Sequence, residues 1–183
     1  VLRATRLQVP GALDDLYADA AGAQLGATVA PDHTKFALWA PTARDVSLCL
    51  YDDGDGPAHS LQQLRRDAQT GVWSTKIDRD LSGDYYTYVV DVQVDGVGLV
   101  RNRVTDPYAV SLTTDSRRGY VANLQSSRLK PADWDRTQSP QRVHAATDAV
   151  IYELHVRDFS IGDATVRPAY RGKYLAFTLQ DTD

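Results

Sequence analysis

The sequence predicts a mainly β protein: an antiparallel β-sandwich, then a connector, then one buried strand belonging to a larger domain. Three observations carry this. Period-two alternation of apolar residues recurs from Thr34 to Asp106, which puts one face of each segment in a core and the other in water. Between these segments lie Gly, Asp and Asn clusters that tolerate the positive φ of tight hairpin connections. Near the end of the chain comes a denser apolar run, "DAVIYELHVRDFS" (Asp148 to Ser160).

Residues 1–25 form a lead-in. Its start, "VLRATRLQVP", has no apolar h-region of the kind a secretory signal needs. Either the protein is cytosolic or a signal is missing from this sequence, so the compartment stays open. The first strand, "KFALWA" (Lys35 to Ala40), sets Phe36 and Leu38 on one face and Ala37 and Trp39 on the other. In "DVSLCLY" (Asp45 to Tyr51), Val46, Leu48 and Leu50 share a face, and "GVWSTKI" aligns Trp73, Thr75 and Ile77. "YYTYVVDV" (Tyr85 to Val92) aligns Tyr86, Tyr88, Val90 and Val92. The spacers "DDGDG" (Asp52 to Gly56), "LSGDY" and Asp95-Gly96 supply the turns. Six to eight strands are expected between Gly26 and Leu124, with no helical period of useful length between them.

Residues 125–148, rich in Ser, Pro, Asp and Arg, carry neither period and read as a surface connector. In the run that follows, Val150, Ile151, Tyr152, Leu154, Val156 and Phe159 are too densely apolar for a half-exposed strand. They suit the centre of a parallel sheet buried on both faces. Such a strand needs a crossover and a second strand, and "IGDATVRPAYRGKYLAFTLQDTD" offers a loop and at most one short helix, "GKYLAFTLQ". The rest of that domain is therefore expected to lie outside this chain.

Composition narrows the function. With 183 residues, 43% hydrophobic and 24% charged, the chain is globular in type and long enough for a sizeable core. No stretch approaches the ~20 apolar residues of a membrane span. The formal charge of −4 and the scattered basic residues argue against nucleic acid as a partner. Cys49, the single cysteine, excludes an internal disulfide and a Cys-rich metal site.

Several segments resemble one family. "FALWAPTARDVSLCLYD" is similar to the opening of the β-sandwich module that precedes the catalytic barrel in isoamylases, branching enzymes and pullulanases. "VTDPYAVSL" (Val104 to Leu112) resembles the close of that module, and "AVIYELHVRDFS" the first barrel strand. "SRLKPADWD" and "TVRPAYRGKYLAFT" (Thr165 to Thr178) resemble the pullulanase and plant limit dextrinase subgroup. The resemblance implies an immunoglobulin-like sandwich over residues 26–124, a connector over 125–148 and the start of a truncated (β/α)8 barrel from 149 to 183. It also implies retaining hydrolysis of α-1,6-glucosidic branch points in pullulan, amylopectin and limit dextrins. The catalytic carboxylates would lie on later barrel strands, so this stretch alone is expected to be inactive. No catalytic residue, metal ligand or cofactor is assigned within it, and calcium is left open for the parent enzyme.

Other chemistry in the chain reads as structural. Asp158 and Glu153 are expected to pair with Arg157 or a neighbouring strand, and His155 to be a hydrogen-bonded structural residue. For α-glucan contact the candidates are Trp73 and Tyr85, because sugar platforms use flat aromatic faces. Trp73 shares a face with Ile77, which suits a core position better than a sugar platform, whereas Tyr85 lies off the apolar face of its strand. The turns "YDDGDGPAH" and "VDGVGLVRN" lack the tryptophans of strongly glucan-binding members. Trp39, Asp106, Pro107 and Tyr108 are the candidates for an interface with the remainder of the barrel. Two other functions stay open: a freestanding α-glucan-binding module, and a protein-interaction module pairing through unsatisfied strand edges.

Overall fold

The computed structural model describes residues 9–138 and 143–178. The chain forms two compact units that meet in sequence at Trp134 and Asp135. In the first, helix α1 (Pro10–Leu16) starts on a proline, whose missing N–H costs nothing in a first turn, and a 3₁₀ turn follows (Ala18–Gly22). Tyr17, buried between them, ties this lead-in to the sandwich: its hydroxyl accepts from Arg66 Nη2 at 3.0 Å, and the guanidinium lies 5.7 Å from its ring centroid.

Among the described residues nine antiparallel strands make two sheets. The first contains β1 (Gly26–Val29), β2 (Thr34–Trp39), β5 (Arg65–Arg66) and β6 (Val72–Ile77), in the order β1-β2-β6-β5. The second contains β3 (Ala43–Tyr51), β4 (Ser60–Gln63), β7 (Tyr85–Val94) and β8 (Gly98–Val104), in the order β4-β3-β7-β8. Strand β9 (Gly119–Tyr120) pairs with the start of β7, beside Tyr85 and Tyr86. The four strands written most clearly in the sequence are β2, β3, β6 and β7, the inner strands of the two sheets. The count exceeds six to eight because β5 and β9 are two-residue pairings too short for any periodicity to register.

Alternation puts Phe36, Leu38 and Trp73 on the inner face of the first sheet, and Val46, Leu48, Leu50, Tyr86, Tyr88 and Val90 on that of the second. Leu64, Leu81 and Val121 close the cluster from the connecting segments. Across the gap Phe36 meets Tyr86 edge-on, with centroids 5.0 Å apart at 65°, the arrangement the ring quadrupoles favour. Thr34, fully buried, donates to the Arg79 carbonyl at 3.1 Å and accepts from the Leu81 N–H at 3.0 Å, which fixes the turn before β7. On the β7–β8 hairpin, Asp91 and Arg101 are register partners and form a two-pronged ion pair with both contacts at 2.7 Å.

The second unit departs from the sequence reading. Residues 149–155 are neither helix nor strand, and a short helix α2 (Val156–Ser160) begins where the strand was expected to continue. Val150 is 96% exposed and Ile151 90%. The expected first barrel strand is thus not formed: without a neighbouring strand its N–H and C=O groups have no ladder partner, and water serves them instead. What order the unit has is local. Ser160 is buried with its Oγ accepting from the Gly172 N–H at 2.9 Å, and Phe159 stacks on Phe177 with centroids 4.9 Å apart. Of the short helix read from "GKYLAFTLQ", Tyr174–Thr178 form a 3₁₀ turn, and Leu179 and Gln180 lie outside the described residues.

Candidate functional site

One end of the second sheet carries a cleft of about 620 Å³. Its walls are the Asp52–Gly56 turn, the first residue of β7, and the segment from Ser111 to Tyr120. Tyr85 and Tyr120 face each other here because β7 and β9 pair them in register; their rings lie 5.1 Å apart, tilted by 60°, and both are half-buried. The pairing needs the close approach of β9 to the core. At Gly119 a Cβ would stand 2.6 Å from Cε1 of the fully buried Tyr86, so only glycine fits.

Arg118 organises the other wall. It donates from Nη1 to the Asp53 carbonyl at 2.8 Å and from Nη2 to the Gly56 carbonyl at 2.6 Å, and its guanidinium covers the Tyr51 ring at 3.7 Å. The Asp53 carboxylate accepts the backbone N–H groups of Gly56 and Asp55, which hold it below the usual carboxylate range, with Arg118 adding a smaller pull. Thr113 Oγ1 accepts the Arg118 N–H at 3.0 Å, and Thr105 Oγ1 donates to the Ser116 carbonyl at 2.8 Å. Two phenol rings and the hydroxyls of Ser111, Thr113 and Thr114 around an open cleft suit a polyhydroxylated ligand, rings for the faces of the sugar and polar groups for its edges, with Asp55, Asp115 and Arg117 also in the lining. Sequence reasoning reached Tyr85 but missed Tyr120 and Arg118, since nothing in "RRGYVANL" reveals that Gly119 and Tyr120 return to the edge of β7.

The other candidates fare differently. Trp73 is 4% exposed, belongs to the core and donates its indole N–H to the Ala40 carbonyl at 2.9 Å, so it has no free face for a sugar. Asp106 is buried inside the sandwich, at 3% exposure, where it accepts from the Tyr86 hydroxyl and the Tyr108 N–H, each at 2.8 Å. It pins the end of β8 to the core and presents nothing outward, a correction to its reading as an interface group. Burial lifts its carboxyl above the ordinary range, and the two hydrogen bonds oppose that only in part. Pro107 and Tyr108 are exposed. Trp39, half-buried and donating to the Thr70 carbonyl at 3.0 Å, lines a groove of about 500 Å³ with Tyr108, Tyr17 and Leu25. In the second unit Glu153 is exposed, and Asp158 pairs with Arg157 at 3.1 Å and His155 at 3.5 Å on the surface. No group of three metal-ligating side chains occurs among the described residues.

Residues 24–109 match carbohydrate-binding module 48, the isoamylase N-terminal domain. Over its whole length the chain is 40% identical to the chloroplastic pullulanase 1 of Arabidopsis thaliana, of which it covers 19%, and 39% identical to a pullulanase of Klebsiella pneumoniae, of which it covers 17%. Among solved structures, 92% of the chain superposes on 19% of a Klebsiella pneumoniae pullulanase in complex with maltotriose, with a TM-score of 0.83 and 38% identity. A Paenibacillus barengoltzii pullulanase in complex with maltohexaose and α-cyclodextrin gives a TM-score of 0.77 at 38% identity, over 92% of this chain and 24% of that one. The chain thus spans less than a quarter of the length of each of these relatives. Along its whole length the chain is thus similar to one portion of pullulanases, and within it residues 24–109 match carbohydrate-binding module 48.

Proposed function

We propose that this chain is the module-bearing portion of a retaining α-1,6-glucosidase, and that its sandwich contacts α-glucan at the Tyr85–Tyr120 cleft. The observation that carries the second part is the register pairing of two half-exposed tyrosines over an open cleft on a carbohydrate-binding module. Support for the first part comes from relatives named as pullulanases.

Retaining hydrolysis takes a nucleophilic carboxylate and an acid/base carboxyl held ~5 Å apart. In this chain Asp158 is committed to His155 and Arg157, and Glu153 is exposed with no second carboxylate fixed opposite it. Since the chain spans less than a quarter of its pullulanase relatives, both catalytic groups are assigned to the portion of such an enzyme that it does not cover, and the chain alone is expected to hydrolyse nothing. Residues 149–178 are the beginning of that barrel, ordered as a strand once a second strand is present. Trp39 and Tyr108 provide contacts with the rest of the enzyme.

Calorimetric titration with maltoheptaose tests the binding part. Tyr85→Ala is expected to weaken binding about tenfold, the ~1.4 kcal/mol of one lost ring, while Trp73→Phe leaves it unchanged. Unaltered binding by the Tyr85 variant refutes the cleft. Any pullulan hydrolysis by the purified chain refutes the assignment of the catalytic groups.

A further inference from the structure

The outer face of the first sheet carries chemistry that the tyrosine cleft does not use. Two cross-strand rows lie on it. One runs Gly26, Ala37, Ser74 and Arg65 across β1, β2, β6 and β5; the next runs Thr28, Lys35 and Lys76. The first row is built of small residues up to Arg65, so it forms the floor of a trough, and the open volume above this face is about 880 Å³. The lysines stand along one side and the arginine at one end, all three exposed.

The charges are placed against local advantage. Lys35 and Lys76 are direct antiparallel partners, and like charges opposite each other destabilise a sheet. Lys76 is relieved by Asp78 at 2.8 Å and, more weakly, by the charge of Asp32, so that Lys35 is the lysine left without a carboxylate partner among the described residues. Lys35 and Arg65 form no ion pair among the described residues, in a chain whose net charge is −4. The other two charged groups at the trough are already committed: Arg66 donates to Tyr17 and to the Pro41 carbonyl, and Asp67 accepts the N–H groups of Gln69 and Thr70. Paired strands bring their Cα atoms within ~5 Å, so the two long lysine side chains can converge on one anion. Gln24, Gln62 and Ser74, which also line the trough, supply the neutral donors and acceptors that sugar hydroxyls take, while the Gln63 amide already donates to Asp45 at 2.6 Å.

We infer that this trough is a second ligand surface, which binds an α-glucan bearing a phosphate monoester, with Lys35 and Lys76 on the phosphate and Arg65 flanking it. A phosphate dianion removes the Lys35–Lys76 repulsion and matches point-charge donors; the small-residue floor and the amides leave room for the sugar that carries it. The inference rests on the chain being a carbohydrate-binding module but not on the tyrosine cleft.

The test titrates the 183-residue chain, at fixed low salt, with phosphorylated amylopectin, the same polymer after phosphatase treatment, glucose 6-phosphate and inorganic phosphate. The phosphorylated polymer is expected to bind about fivefold more tightly than the treated one, as suits a few exposed charge contacts. That difference should vanish in Lys35→Ala/Lys76→Ala and persist in Tyr85→Ala. Loss of the difference in Tyr85→Ala, or its survival in the double lysine variant, overturns the assignment to this face. Equal affinity for both polymers overturns the phosphate, and equal affinity for inorganic phosphate, glucose 6-phosphate and the phosphorylated polymer overturns the glucan. The lysines are exposed and outside the core, so circular dichroism of the double variant should match that of the parent.

Discussion

Strand β3 and the segment from Val150 to Val156 are written alike and end up unlike. "DVSLCLY" and "VIYELHV" share an apolar density that either fold class could use. β3 has β4 on one side and β7 on the other, and buries Val46, Leu48 and Leu50. Residues 150–155 have no strand beside them among the described residues, and Val150 and Ile151 stand in water. An apolar pattern specifies a strand only in the presence of a partner, because the backbone groups as well as the side chains must be satisfied. The sandwich brings its partners with it; the second unit leaves its apolar residues for something else to cover.

The largest effect separating these regions is expected from paired truncations. Tyr86→Ala removes a fully buried ring and the hydroxyl that serves Asp106, and should cost about 3–5 kcal/mol in urea unfolding followed by the sandwich signal. Tyr152→Ala removes a 75% exposed ring and should change that stability by less than about 0.5 kcal/mol. Gly119→Ala comes next. The added methyl meets Tyr86 at 2.6 Å, an overpacking of about 1–3 kcal/mol that should also part Tyr85 from Tyr120 and weaken maltoheptaose binding. Arg118→Ala should cost about 1 kcal/mol through the two carbonyls it leaves and loosen the Asp52–Gly56 wall.

The smallest effect is in pH dependence, and it has opposite signs at two carboxylates. Asp106 is raised by burial, so its contribution is fully present below the unfolded carboxylate value of ~3.9 and is lost as pH rises through its higher native value. Asp106→Asn should therefore gain stability relative to the parent as pH rises from about 4 toward neutrality. Asp91 is lowered by Arg101, and its contribution is present above ~3.9 and lost as pH falls through the lower native value. Asp91→Asn should lose stability relative to the parent over the same rise. Urea midpoints taken across pH 3 to 7 check both, and parallel shifts in the two variants would contradict the contrast between a buried carboxyl with no cation beside it and one paired with Arg101.

How far the sequence reaches can be read from the same residues. The inner strands were legible because their alternation is driven by burial on one face: Phe36 and Leu38, Tyr86 and Tyr88 all point where the period puts them. Trp73, sharing a face with Ile77, reads as core before platform, and its burial at 4% exposure with its N–H on the Ala40 carbonyl agrees with the core. Asp106 looked like part of a rigid surface turn, and its burial depends on Tyr86, twenty residues away. Tyr120 was beyond reach because a two-residue strand has no period. The segment from 149 to 155 was legible as apolar, but its own pattern does not tell whether a strand lies beside it, and none does among the described residues.

Hydrogen exchange across the whole 183-residue chain tests the contrast most directly. Amides of β3 and β7 should exchange only on global unfolding, while those of residues 150–155 exchange at close to the rate of an unfolded peptide. Protection of residues 150–155 equal to that of β3 would mean that this chain already supplies their partner, and would contradict the account.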